Sequence, residues 1–267
     1  MMRTALVTGA SSGIGRACAL RLVSSGWRVL AGVRRQGDAP KGTKEILLDV
    51  TNAEHVRAAA EQVDELHGLV NNAGIALSVP LEFIPLDELR RQFEVNVFGQ
   101  VAVTQALLPQ LRGSKGRIVF VGSIAGKSAL PFLGPYAASK HALEAIADSL
   151  RVELQPFGVG VSIVEPGTIK TPIWVKSAEV AEEIHQRLPP ALADLYGARI
   201  AAFRRAALKR GEGGASADEV AKKVETALEC ERPSARVLVG RDAKLRAGVE
   251  HLPERLRDRV YERVLLR

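Results

Sequence analysis

Short apolar runs alternate along the chain with stretches in which apolar residues return every three or four positions. That alternation specifies strands buried on both faces and helices laid against them. Strands are expected at residues 4–8, 28–33, 46–48, 69–71, 117–121, 161–164 and 236–239, and helices at about 14–25, 53–66, 87–111, 136–155 and 218–229. Seven strands with intervening helices define an α/β chain, a Rossmann-type doubly wound, seven-stranded parallel sheet with helices on both faces. No repeat or low-complexity run divides it, so residues 1–267 read as a single domain.

In a sheet of this kind ligands sit beyond the carboxyl ends of the strands, near the point where strand order reverses. Polar and glycine positions gather at that edge. Thr8-Gly9 closes the first strand, Arg34 the second and Asp49 the third; Asn71 to Gly74 follow the fourth, Ser123 the fifth and Pro166-Gly167 the sixth.

Composition narrows the setting. With 46% hydrophobic residues the chain can bury a substantial core. Its 2 cysteines, Cys18 and Cys230, have neither metal-ligand nor disulfide-framework spacing, which points to a reducing, cytoplasmic setting and assigns no residue to a metal. No signal peptide is expected, and no apolar run approaches the roughly 18 residues of a membrane span. A net charge of +7 permits anionic partners without requiring them, and nucleic acid is not among the expected ones. Near the end, Arg255, Arg257, Arg259, Arg263 and Arg267 alternate with Glu254, Asp258 and Glu262, while Leu252, Leu256, Val260 and Val264 recur every four residues. Two readings stand: an amphipathic helix with charges toward solvent, or a peripheral membrane contact.

Gly9, Gly13 and Gly15, with Ser11, Ser12 and Ile14 between them, follow a strand and open a helix. Backbone N–H groups and the helix dipole can hold a diphosphate there without a cationic side chain. The second strand ends in Val33-Arg34-Arg35. Val33 stands where an acidic residue would receive the ribose hydroxyls of NAD, and Arg34 offers a fork for the 2′-phosphate of NADP(H). NADP(H) is therefore the expected cofactor, the competing reading being that both arginines are solvated loop residues.

Tyr136 and Lys140 lie four residues apart on an expected helix, so an ammonium can sit beside a phenol. A neighbouring cation favours the phenolate and brings the group toward the range of proton transfer at neutral pH. The other tyrosines, Tyr196 and Tyr261, meet Ile200 and Leu265 at the same spacing. Ser123 is placed to hold a substrate oxygen, and no histidine stands in a nucleophile-elbow context, which argues against hydrolysis. Ser128 reads as structural or weakly substrate-facing. Asn96 is a helix-packing amide or the holder of a water that connects Lys140 to solvent.

These residues together resemble the short-chain dehydrogenase/reductase family, in its ordinary single-domain branch, from Thr4 to about Gly240. Thr8 to Gly15 is similar to its T-G-x-x-x-G-x-G, Asn71-Asn72-Ala73-Gly74 to its N-N-A-G, and Asn96, Ser123, Tyr136 and Lys140 to its catalytic tetrad. The resemblance implies that Pro166, Gly167, Thr168 and Thr171 wrap the nicotinamide, that Asp49 and Val50 meet the adenine, and that Asn72, Ala73 and Gly74 line the cofactor. It also implies a homodimer built through the helices beginning near Asp87 and Tyr136. Two departures stand out: residues 35–44 leave no room for the usual helix, and His67 replaces a common acidic residue before the fourth strand. A long segment at about 173–214 and a helical extension at about 241–267 look closest to retinoid and hydroxysteroid dehydrogenases. Ile173, Trp174, Ile184, Leu188, Leu192, Leu195, Tyr196 and Phe203 would roof a pocket for a small hydrophobic carbonyl or alcohol, or serve as lid packing. The expected activity is NADP(H)-dependent hydride transfer between such a ketone or aldehyde and its alcohol. The alternatives are a 3-oxoacyl thioester reductase and a non-catalytic NADP-binding redox sensor.

Overall fold

The computed structural model describes residues 2–186 and 190–265, without the side chains at 176, 185, 190–194 and 208–212. The first half runs β1 (Thr4–Thr8), α1 (Gly13–Ser24), β2 (Arg28–Val33), β3 (Lys44–Leu47), α2 (Ala53–Glu61), β4 (Gly68–Asn71), α3 (Leu86–Phe93), α4 (Gly99–Ser114) and β5 (Arg117–Val121). The second runs α5 (Gly134–Glu153), β6 (Gly160–Pro166), α6 (Ile173–Gln186), α7 (Pro190–Glu212), α8 (Ala217–Glu229), β7 (Arg236–Val239), α9 (Arg241–Val249) and α10 (Glu254–Leu265). All seven strands are parallel, in the order β3-β2-β1-β4-β5-β6-β7. Strand order reverses between β1 and β4, and the glycine turn after β1 opens at that crevice.

The strands are continuous apolar runs because both faces are covered. One core joins β1, β2 and β5 to α1 and α8 through Val7, Val29, Leu22 and Val224. The other joins the opposite face to α2, α4 and α5 through Leu6, Phe120, Leu107 and Leu143. Local chemistry sets the helix starts: the Asn52 side chain accepts from Glu54 and His55 N–H, and Ser216 with Glu219 forms a reciprocal capping box before α8.

The expected strands are all present, with β3 shifted toward Lys44 and β6 extended to Pro166. The second helix ends at Glu61 rather than at residue 66, because Val63 and Leu66 turn inward to the core. The single helix expected over 87–111 is instead α3, a π-helical turn at Glu94–Phe98 and α4. Residues 35–44 carry no helix, as expected from their length. His67 supports the turn before β4: its Nδ1 accepts from Thr4 N–H at 3.2 Å, and its own backbone ties Thr4 to Arg117.

The C-terminal extension is helical with most charges of its last helix toward solvent, as expected, but the apolar repeat is not its buried face. It forms two helices, and α10 buries Tyr261 and Leu265 while Leu252, Leu256 and Val264 are exposed. The Tyr261 hydroxyl bonds Ser128 and Glu250, and Arg257 pairs with Glu250, so polar contacts select the buried face. Among the described residues no helix is long and apolar enough to cross a membrane.

Candidate active site

The glycine turn is held from both sides. The Thr8 hydroxyl accepts from Asn72 and Ala73 N–H, each at 2.9 Å, while Asn72 Nδ2 donates to Thr8 O at 2.9 Å. Gly9 and Gly13 have φ of +65° and +55°, the left-handed region that glycine enters at little cost. At Gly15 a Cβ would stand 2.3 Å from Gly9 O and 2.4 Å from Asn72 Nδ2. Ser12 forms no side-chain cap bond, so its side chain leaves the first-turn N–H groups of α1 uncapped, as the binding of an anion at a helix N-terminus requires. Thr171, from the loop after β6, closes over Gly13 at ordinary contact distance, 3.4 Å from an added Cβ. Sequence-expected residues from β1, β4 and β6 therefore meet in one cradle that fits a dinucleotide diphosphate.

At the next two strand ends Arg34 is exposed after β2, and Asp49 and Val50 follow β3. Burial works to raise the Asp49 carboxyl, but the Thr51 N–H and hydroxyl, followed by the charges of Arg34 and His55, hold it below its usual range. Val50 packs against Gly99, where a Cβ would come within 2.7 Å of it.

Ser123 opens the turn after β5, and its Oγ accepts from Ala125 N–H at 3.1 Å. The Tyr136 phenol is the neighbour that the Ser123 hydroxyl acts on, in the direction that favours ionisation. Burial raises the Tyr136 phenol above its ordinary value, with the Ser123 hydroxyl and the charge of Arg246 opposing. Lys140 lies one turn further along α5, its Nζ 5.8 Å from the Tyr136 ring centre and donating to Val121 O at 2.8 Å. Burial brings the ammonium down to about 8. Apolar side chains surround the phenol: Ala76, Ala125 and Ala137, with Ile173 and an edge-on Trp174 whose ring centre is 6.1 Å away.

Asn96 sits in the π-helical turn, a distortion that recurs at functional sites. Its Oδ1 accepts from Ile75 N–H at 2.8 Å, and its Nδ2 donates to Ile75 O at 2.9 Å and Ser139 Oγ at 3.0 Å. The amide therefore clamps residue 75, next to Gly74, to α5. Ala73 O accepts from Gln100, and Gln92 also donates to Ile75 O. Gln92, Gln100 and Ser139 belong to no sequence motif; only their polarity within apolar helix faces distinguishes them.

Residues of the C-terminal extension reach the same edge. Asp242 Oδ2 accepts from Thr168 N–H at 2.6 Å, and a Cβ at Gly167 would stand 2.2 Å from Asp242 Oδ1. The backbone N–H of Thr168 is thereby committed to the protein. Ser128 is fully buried and receives Arg246 through both its hydroxyl and its carbonyl, which makes it structural. Beneath α6 and α7 a cleft is lined by Val79, Pro80, Phe132, Ala181, Ile200 and Phe203. Ile184 packs with Leu77, Val79 and Ile84, whereas Leu195 is 65% exposed and does not share that face. Tyr196 instead meets Phe83 and Phe132 edge-on and donates to Glu82. Leu188 and the side chain of Leu192 lie outside the described residues.

A glycine turn that fits a dinucleotide, a buried phenol with a cation behind it and a serine hydroxyl at the same strand edge are the features of an oxidoreductase of the nicotinamide class. The sequence matches the short chain dehydrogenase family over residues 3–182, and the chain belongs to that family. It is 37% identical to an NADPH-dependent 3-dehydrocapnine reductase of Ornithobacterium rhinotracheale, over 97% of this chain and 96% of the relative. It is also 37% identical to retinol dehydrogenase 5 of Mus musculus, over 98% and 88% of the two chains. A solved short chain dehydrogenase from Burkholderia cenocepacia J2315, in complex with NADP, superposes with a TM-score of 0.75 at 28% identity, over 99% of this chain and 100% of the other.

Proposed function

We propose that this NADP(H)-dependent oxidoreductase interconverts a hydrophobic ketone or aldehyde and its alcohol, with Tyr136 as the acid and base. The carrying observation is the buried Tyr136 phenol, with the Lys140 cation 5.8 Å from its ring centre, walled by Ala76, Ile173 and Trp174 at the strand edge where the glycine turn opens. The names of a reductase and a dehydrogenase among the relatives support reversible redox chemistry.

Bound nicotinamide supplies or accepts the hydride. The protein places the carbonyl and manages its proton. Ser123 orients the substrate oxygen by hydrogen bond, and Tyr136 gives that oxygen its proton on reduction and removes it on oxidation. Burial keeps the phenol protonated at neutral pH, the form that reduction needs. Lys140 acts as a cation beside the ring, anchored to Val121 O. Asn96 holds the 74–75 backbone against α5 and so keeps the cofactor wall next to the phenol. Gly9, Gly13 and Gly15 would receive the diphosphate; Asn72, Ala73, Gly74, Thr171 and Pro166 would line the remainder.

Arg34 is the residue we assign to the 2′-phosphate. Replacing it by Ala removes a charge-assisted fork, so NADPH affinity should fall by about 10-fold or more while NADH affinity changes little. Fluorescence titration with both cofactors measures this. Equal affinity of the unchanged protein for NADPH and NADH would remove the assignment.

Substrate size is tested at Trp174. Trp174→Ala should raise KM for bulky apolar ketones by about 10-fold or more, since lost apolar contact is worth roughly 1–3 kcal/mol, and should leave small ketones nearly unchanged. Equal effects on large and small ketones would count against an apolar roof. Turnover of acyl thioesters but of no bulky ketone would favour a 3-oxoacyl thioester reductase.

A further inference from the structure

Behind Tyr136 and Lys140 lies a second cluster of ionisable groups that the chemistry above does not use. Glu144 is one helical turn beyond Lys140 on α5, and Glu165 is on β6 immediately before Pro166. Glu165 is completely buried and Glu144 is 8% exposed. Glu144 Oε2 accepts from Arg236 Nε of β7 at 3.0 Å, and the same nitrogen is 3.6 Å from Glu165. Lys127, in the turn after β5, reaches the Glu165 carboxylate at 2.9 Å. Arg236 also bonds Asp148, which Arg151 holds from its other side. Glu144 Oε1 has no donor among the described residues, and it faces the Cα of Gly126, where a Cβ would come within 3.1 Å.

Two buried carboxyl groups that share one guanidinium nitrogen do not ionise together easily. Burial, then the charge and hydrogen bond of Glu165, push Glu144 up to about 7, with Arg236 opposing. Lys140 feels the result: burial lowers its ammonium, and the Glu144 charge works in the other direction. The charged groups facing Glu144 are Lys140 and Asp148 on its own helix, Glu165 on β6, Arg236 on β7 and Lys127 on the turn after β5.

We propose that the Glu144–Glu165 carboxyl pair is a charge lever behind the active site, in which gain or loss of a proton at Glu144 sets how firmly Lys140 keeps its ammonium. Through Lys140 it sets how readily Tyr136 gives and takes its proton, and in this the inference rests on the acid–base reading of that pair. Glu144 touches no reacting atom and is a positioning residue. The sign follows from its charge. As pH rises through about 7 the Glu144 carboxylate forms and supports the ammonium; as pH falls the support is withdrawn.

The decisive measurement is the titration of the Lys140 Nζ in ¹⁵N-lysine-labelled protein, its resonance assigned by its loss in Lys140→Met. Glu144→Gln should lower that midpoint by about one pH unit, the scale of one opposite charge at close range. The acid limb of kcat/KM for alcohol oxidation, which follows ionisation of Tyr136, should move to higher pH, and Glu144→Asp should restore both. Coupling is reciprocal, so Lys140→Met should raise the Glu144 ¹³Cδ midpoint by a similar amount; this measurement decides the matter if Glu144→Gln does not fold. A purely structural role would lower Tm and leave both midpoints and the pH profile in place, which overturns the proposal. Retained turnover in Tyr136→Phe would instead overturn the acid–base reading, while the two NMR titrations would still decide whether Glu144 and Lys140 are coupled.

Discussion

Tyr136→Phe is expected to lower turnover about 10²- to 10⁴-fold, the range found for a positioned acid–base group, with NADPH binding nearly unchanged. The substitution deletes one oxygen and leaves the ring among Ala76, Ala125 and Trp174. Packing should survive, because the volume hardly changes. Ser123 retains the bond from Ala125 N–H. Steady-state kinetics and cofactor titration on the same preparation separate the two effects. Near-normal turnover would remove Tyr136 from the chemistry, and a loss of NADPH affinity equal to the loss of turnover would make it a binding residue only.

Gly15→Ala should have the opposite signature. Its Cβ would lie 2.3 Å from Gly9 O and 2.4 Å from Asn72 Nδ2, and the first of these is backbone that cannot swing aside. Relief requires the glycine turn to open or α1 to withdraw from β4. Overpacking of this kind costs about 1–3 kcal/mol, so NADPH affinity should fall by about 10- to 100-fold. Secondary structure by circular dichroism should persist, since the cores under α1 are built from Cys18, Ala19 and Leu22. Unchanged NADPH binding in a folded Gly15→Ala protein would show that the cradle is not where the diphosphate lies.

The strands were legible because a sheet covered on both faces demands continuous apolar runs, and β1, with every residue buried, shows this directly. Tyr136 and Lys140 were legible because helical spacing alone brings them together. Other features carry no such local signature. The π-helical turn at Asn96 adds one residue to a turn inside an otherwise regular apolar repeat, so the sequence reads as one helix. Asp242, Arg246 and Tyr261 reach the site from the C-terminal extension, 74, 118 and 133 residues from their partners Thr168 and Ser128, and no spacing rule links them. Of the apolar repeat Leu252, Leu256, Val260 and Val264 only Val260 is half-buried, since the Tyr261 hydroxyl and the Glu250–Arg257 pair draw the neighbouring face of α10 inward. Glu165 carries a signal of another kind: a carboxylate within a buried strand needs a partner from elsewhere in the chain, which the sequence does not name.

The most direct test of the central claim is NADPH consumption by the purified protein with a panel of apolar ketones and aldehydes, run beside Tyr136→Phe. The unchanged enzyme should oxidise NADPH only when a carbonyl compound is present and form the corresponding alcohol, whereas the variant should bind NADPH and consume almost none. NADPH binding without consumption against any carbonyl, or equal consumption by both proteins, would contradict it.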